Sequence, residues 1–155
     1  MSLFSCDGIF QVGLLSSYCG ESGSEIATAL DGDIARATNG CRYNVWSPDR
    51  LQLFFVKVNV MTSVEDARGK MMQTMITSGP DDTDEFSKLI KGVGEGARLA
   101  GYLDGDGNSH MSLFAHKSNA FIHVSSLFTS DSLNQPCTHN EADMTSFAIE
   151  VLSML

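Results

Sequence analysis

The residues best equipped for chemistry fall into three small groups. Asp104-Gly105-Asp106-Gly107-Asn108 spaces its carboxylates two apart, as the opening positions of a calcium loop do. The pattern fails at Ser109, where glycine should make the sharp turn, and at Ala115, where a bidentate glutamate should stand. Its flanks alternate like strands, so the run reads as a hairpin turn in which Asp-Gly and Gly-Asn supply positive φ. Gly92-Val93-Gly94-Glu95-Gly96 has the glycine density of a phosphate cradle. A dinucleotide fingerprint, however, follows a strand and opens a helix; here a strand follows, and Glu95 would repel phosphate. The segment reads as a bend where backbone passes close to a neighbour. His116 and His123 could face each other across the Lys117-Ser118-Asn119 turn, with His110 on the same strand as His116, but a two-histidine metal site needs a third ligand and a shielded pocket, and none is indicated. They are read as exposed sheet-face histidines. Serine, histidine and aspartate are present without a Gly-x-Ser-x-Gly elbow to anchor a triad. No catalytic, cofactor-binding or metal-ligating residue is assigned, and the chain is expected not to be an enzyme and to need no cofactor.

Four cysteines, Cys6, Cys19, Cys41 and Cys137, stand far apart with no Cys-x-x-Cys pair. An even, dispersed set suits structural disulfides in an oxidising compartment; free thiols in a cytosolic protein are the bland alternative. All four are disulfide candidates. The pair expected first is Cys19–Cys41, because a short helix between them returns the chain to the first strand. Closing that loop of roughly 20 residues is worth about 3 kcal/mol in the chain-entropy model.

The net charge of −9 comes from 10 basic and 19 acidic residues, and the basic ones are scattered singly. Nucleic acid is excluded as a partner, since phosphate contacts need clustered Lys and Arg. No run approaches the ~20 apolar residues of a membrane helix. The start, Met1-Ser2-Leu3, has no signal-peptide pattern; it is read as a short leader before a mature sequence whose native signal is missing.

Three signals of one kind organise the rest: Ser22-Gly23-Ser24-Glu25, Thr62-Ser63-Val64-Glu65 and Thr138-His139-Asn140-Glu141. Each matches a capping box, where a hydroxyl and a carboxylate three places on satisfy two orphan N–H groups. They predict a short helix over 25–30, a second from Thr62 with Val64, Ala67, Met71 and Met75 on one face, and a final helix. The last stripe is Met144, Phe147, Ala148, Val151 and Leu155, widened by Ile149 and Leu152; this helix is expected to be the longest. Between them lie strands at 41–46 and 51–61, then a meander from Ala97 to Leu127. Phe54, Val56, Val58 and Val60 share one face of what should be a central strand. Trp46 is placed at the edge of the core. Residues 1–18 read as an arm, and 19–155 as one α+β domain of two layers. Its antiparallel sheet has about five strands, its three helices lie mainly on one face, and the order is α-β-β-α-β-β-β-α.

Three stretches carry a family resemblance: Ser24-Glu25-Ile26-Ala27-Thr28-Ala29-Leu30, Asn39-Gly40-Cys41-Arg42-Tyr43, and Gly92-Val93-Gly94-Glu95-Gly96-Ala97 before a strand. The layout resembles DUF3558-like bacterial extracytoplasmic lipoprotein domains, whose shape is similar to the Mog1/PsbP-like α+β fold. The resemblance covers about 19–155; no lipobox is visible, and it carries over no catalytic residues. It implies a non-catalytic binding or accessory module of a bacterial cell envelope, periplasmic or at the cell surface, engaging a protein or an envelope component. The alternative is a carrier of a small molecule or lipid in an apolar cavity between sheet and helices.

Overall fold

A computed structural model of the chain describes residues 17–18, 24–29, 39–46, 52–78, 84–129 and 137–155, leaving aside the side chains at 24–29, 39, 45–46, 76–78 and 84–86. Two meanders meet at the centre of one sheet. The first is β1 (Ser24–Ala29), β2 (Asn39–Trp46) and β3 (Gln52–Val60). The second is β4 (Asp84–Ile90), β5 (Gly96–Leu103), β6 (Ser109–Lys117) and β7 (Ala120–Phe128). Strand β7 pairs antiparallel with β3, which gives a seven-stranded sheet in the order β1-β2-β3-β7-β6-β5-β4. Helix α1 (Val64–Ser78) follows β3, and α2 (Glu141–Ser153) follows β7.

Alternation along the strands decides where the helices go. Phe54, Val56 and Val58 of β3 point to the side on which Val124 and Ile122 of β7 and Leu113 and Ala115 of β6 lie. All are buried, and α2 packs on them with Met144, Phe147, Ala148, Val151 and Leu152. Phe147 meets Phe54 edge-on at 5.7 Å and Tyr18 at 5.0 Å, favourable geometry for aromatic quadrupoles. Full burial of such side chains is worth about 1.5–3 kcal/mol each, so this layer is the main core. The residues between them face the other way: Phe114 and Phe121 pack against Met71 and Met75 of α1.

The expected two-layer domain of about five strands and three helices is therefore overturned. The described residues form a sheet of seven strands with a helix on each face, in the order β-β-β-α-β-β-β-β-α. The expected first helix is strand β1, with Ile26 opposite Tyr43 and Thr28 opposite Cys41. Six residues make a helix too short to stand on its own backbone bonds, whereas an open edge on β2 satisfies them at once. Strand β4, left without an element in the sequence, pairs its 84–90 stretch with β5. The central strand and the meander of β5, β6 and β7 stand where the pattern placed them.

Both remaining helix starts are shifted along the chain. In α1 the acceptor for the Asp66 N–H is Ser63 Oγ at 3.0 Å, and the Thr62 hydroxyl donates to the Asp66 carboxylate, so the capping hydroxyl is Ser63 and not Thr62. In α2 the N-cap is Asn140, whose Oδ1 accepts from Asp143 N–H at 2.8 Å. Thr138 is engaged otherwise: its N–H donates to Tyr18 O and its hydroxyl to Asp143. Asparagine caps better than threonine, which explains the choice. At 13 residues α2 is also shorter than α1 at 15, contrary to expectation. Within its stripe Leu155 stays exposed, and Ile149 faces solvent.

Cys41 and Cys137 are buried and disulfide-bonded, and no cysteine is free among the described residues. Cys6 and Cys19 lie outside the described residues, and the expected Cys19–Cys41 pairing falls there with them. So does the side chain of Trp46, whose backbone closes β2 beside a register shift.

Candidate functional site

The glycine bend between β4 and β5 is held down at several points. Glu95 N–H donates to His116 O at 2.8 Å, tying the bend to the end of β6. Glu95 Oε2 accepts from Ser118 N–H at 3.0 Å. Ser118 sits in the β6–β7 turn with φ of 50°, so the carboxylate satisfies the donor of a strained turn. Gly94 has φ of 56°, and a Cβ there would fall 2.3 Å from His116 O. A Cβ at Gly96 would meet the His116 ring at 2.9 Å. The close backbone approach read from the sequence is real, and its neighbour is His116.

This bend faces the last turn of α2. A groove of about 340 Å³ lies between them, lined by Gly92, Gly94, Glu95, Lys117, Ile149 and Leu152, with Ser153 at the helix end. No basic residue stands in the last turn of α2 to offset the negative end of its dipole. The missing cation comes from the β6–β7 hairpin, where Lys117 Nζ donates to Leu152 O at 3.0 Å. Leu152 is buried, and Ile149 beside it is 44% exposed. The groove thus has an aliphatic floor and the Glu95 carboxylate, 53% exposed, on its rim.

The histidines are not the exposed set expected. His123 is only 5% exposed and His116 8%. His123 stacks on Phe114 at 4.4 Å and meets Phe55 edge-on at 4.8 Å, and its Nε2 lacks a partner among the described residues. Burial first, then Lys57 and Arg42, pushes its pKa down to about 3. His116 Nδ1 stands 3.7 Å from Glu95 Oε2, too far to bond; burial lowers its pKa more than Glu95 raises it. His110 is half-buried, stacked flat on Tyr102 at 4.4 Å, with Nε2 2.9 Å from Asp104 Oδ2. That carboxylate also accepts from Asp106 N–H, Asn108 N–H and Asn108 Nδ2. His110 and these bonds hold the Asp104 carboxyl well below the usual carboxylate range. The Asp104 to Asn108 run is a hairpin turn whose first carboxylate is saturated by its own loop.

His139, which the sequence used only as part of a capping box, joins three elements. Its Nδ1 lies 2.9 Å from Ser126 Oγ and its Nε2 3.0 Å from Ser109 Oγ. Ser126 gives its hydroxyl proton to Thr138 O, so it accepts from Nδ1–H, and Ser109 must donate to Nε2. The spacing is that of a nucleophile and its base. Acyl transfer would create an imidazolium, and a serine hydroxyl behind the ring cannot stabilise it as a carboxylate does. Burial, then His110, lowers the His139 pKa and favours the neutral ring. The pair is therefore a tie between β6, β7 and the entry to α2.

Of the residues singled out in the sequence, the fold brings Glu95 and the glycines of its bend to the groove. Lys117, Ile149 and Leu152 were read only as turn or helix stripe. One clue was present: a final helix with no cation near its end calls for one from elsewhere. Among the described residues no cluster of three His, Cys, Asp or Glu could hold a metal, and no helix is long and apolar enough to cross a membrane. Comparison with protein families, curated proteins and solved structures finds no match to this chain.

Proposed function

We propose that the chain is a binding or accessory module of a bacterial cell envelope, working outside the cytoplasm and engaging a protein or envelope component without catalysing a reaction. The observation that carries this reading is the groove between the glycine bend and the end of α2. It lies within the ordinary size range of ligand sites, its floor is aliphatic, and it opens to solvent. An open groove suits a segment of a larger partner better than an enclosed small ligand. The cystine state of Cys41 and Cys137 supports an oxidising home. The bend itself, one of the stretches that resemble DUF3558-like domains, supports kinship with that group.

The test is site-specific photo-crosslinking in intact cells, with the reactive side chain at Ile149 and, as control, at Met72 on the far face. Discrete adducts from 149 and not from 72 are expected in the envelope fraction. Equal, diffuse labelling from both positions would remove the groove as the working surface.

A further inference from the structure

The groove also carries information about what fills it; this inference rests on the binding reading above. Charge decides the sign. The chain carries −9 overall, and the groove gathers two sources of negative potential. The first, and the weaker because Lys117 already donates to Leu152 O, is the C-terminal end of α2, which has no basic residue in its own last turn. The second is Glu95, whose carboxylate keeps a single bond to Ser118 N–H among those described and is 53% exposed. The opposing cation, Lys117, is directed at Leu152 O and so offsets the helix end rather than standing free for an anion. Apolar chemistry comes from the floor: Ile149, 44% exposed, and Leu152 beneath it.

We infer that the groove receives a partner segment presenting a lysine or arginine next to an aliphatic side chain. The basic head group donates to the Glu95 carboxylate as a charge-assisted hydrogen bond, and the aliphatic group covers Ile149. Glycines at 92 and 94 keep the wall low, so a peptide backbone can lie close along it.

The experiment is selection of a displayed random-peptide library on the immobilised, disulfide-intact chain. Synthetic copies of the enriched peptides are then titrated against wild type, Glu95→Gln and Ile149→Ser, the second removing the aliphatic contact without adding charge. Glutamine keeps an acceptor for Ser118 N–H while removing the charge, and Ile149 is exposed enough for its replacement to leave the fold intact; melting curves check both. Enriched peptides should pair Lys or Arg with Leu, Ile or Val, bind at least fivefold more weakly to each variant, and weaken in 0.5 M salt. Peptides that ignore Glu95→Gln yet lose binding with Ile149→Ser would sink the basic-segment inference and leave the binding module standing. Failure to enrich any peptide, or binding indifferent to both changes, would sink both.

Discussion

His123 shows how much a single side chain can set the response of this protein to acid. Its ring is enclosed by Phe114 and Phe55 with Lys57 and Arg42 nearby, and its folded pKa of about 3 lies far below the ordinary value of 6.5. The unfolded chain therefore takes up the proton first. Stability that is complete above pH 6.5 is lost as pH falls from there towards 3, by up to ~1.4 kcal/mol per unit for this group. His116 and His139 shift in the same direction, chiefly through burial, and add to the slope. Urea unfolding at pH 7 and pH 5 should show a clear loss for wild type and a smaller one for His123→Leu, which removes the unpaired nitrogen at similar volume. Identical losses in the two proteins would show that His123 does not carry the effect. Asp104 predicts the opposite kind of result. Its carboxylate already accepts from its own turn and from His110, so millimolar calcium should leave the melting temperature unchanged. A site occupied at a hundredfold excess over Kd would stabilise by about 2.7 kcal/mol. A calcium shift abolished by Asp104→Ala/Asp106→Ala would overturn the hairpin assignment.

Caps and bends separate competing readings among the elements. If Asn140 starts α2, Asn140→Ala should cost about 1 kcal/mol, and Glu141→Ala much less, because the reciprocal carboxylate is Asp143. The reverse order would restore the box centred on Thr138. Gly94→Ala should be far worse than Gly105→Ala: at 94 the new carbon meets a carbonyl oxygen at 2.3 Å with φ positive, and at 105 it meets open space. Equal melting temperatures for these two variants would deny that the bend is pressed against β6. The same elements show what was legible in the sequence. Val56 and Val58 alternate over a long run, so β3 and its buried face could be read directly. Residues 24–29 could not: their capping pattern is local, and the edge of β2 that makes them a strand is a long-range partner. The exposure of His116 and His123 was misjudged because α1 covers the second face of the sheet, which two-residue alternation cannot reveal. Half of the groove was legible as a glycine bend; its other half arrives from α2, more than fifty residues later.

For the whole molecule, the decisive matter is what holds two meanders and two helices in one piece. Strands β3 and β7 are neighbours in the sheet though distant in the chain, and the main core continues from them into α2. Val56→Asp would bury an unpaired carboxylate at that junction and should abolish cooperative folding, read as loss of a thermal transition. The cystines add a covalent restraint to the same region, since Cys41 on β2 and Cys137 before α2 both belong to this core. A disulfide is worth about 2–4 kcal/mol, mainly by limiting the unfolded chain. Alkylation of the native protein should modify neither Cys41 nor Cys137, and only reduction in denaturant should open both to the reagent. Reduction alone should lower the melting temperature by ~4 °C or more, on the scale of 2–4 °C per kcal/mol for a chain of this size. Labelling at Cys41 or Cys137 without reductant would remove the covalent restraint. It would also take away the strongest physical reason for placing the module outside the cytoplasm, because thiols that persist free in the core are what a reducing compartment leaves behind.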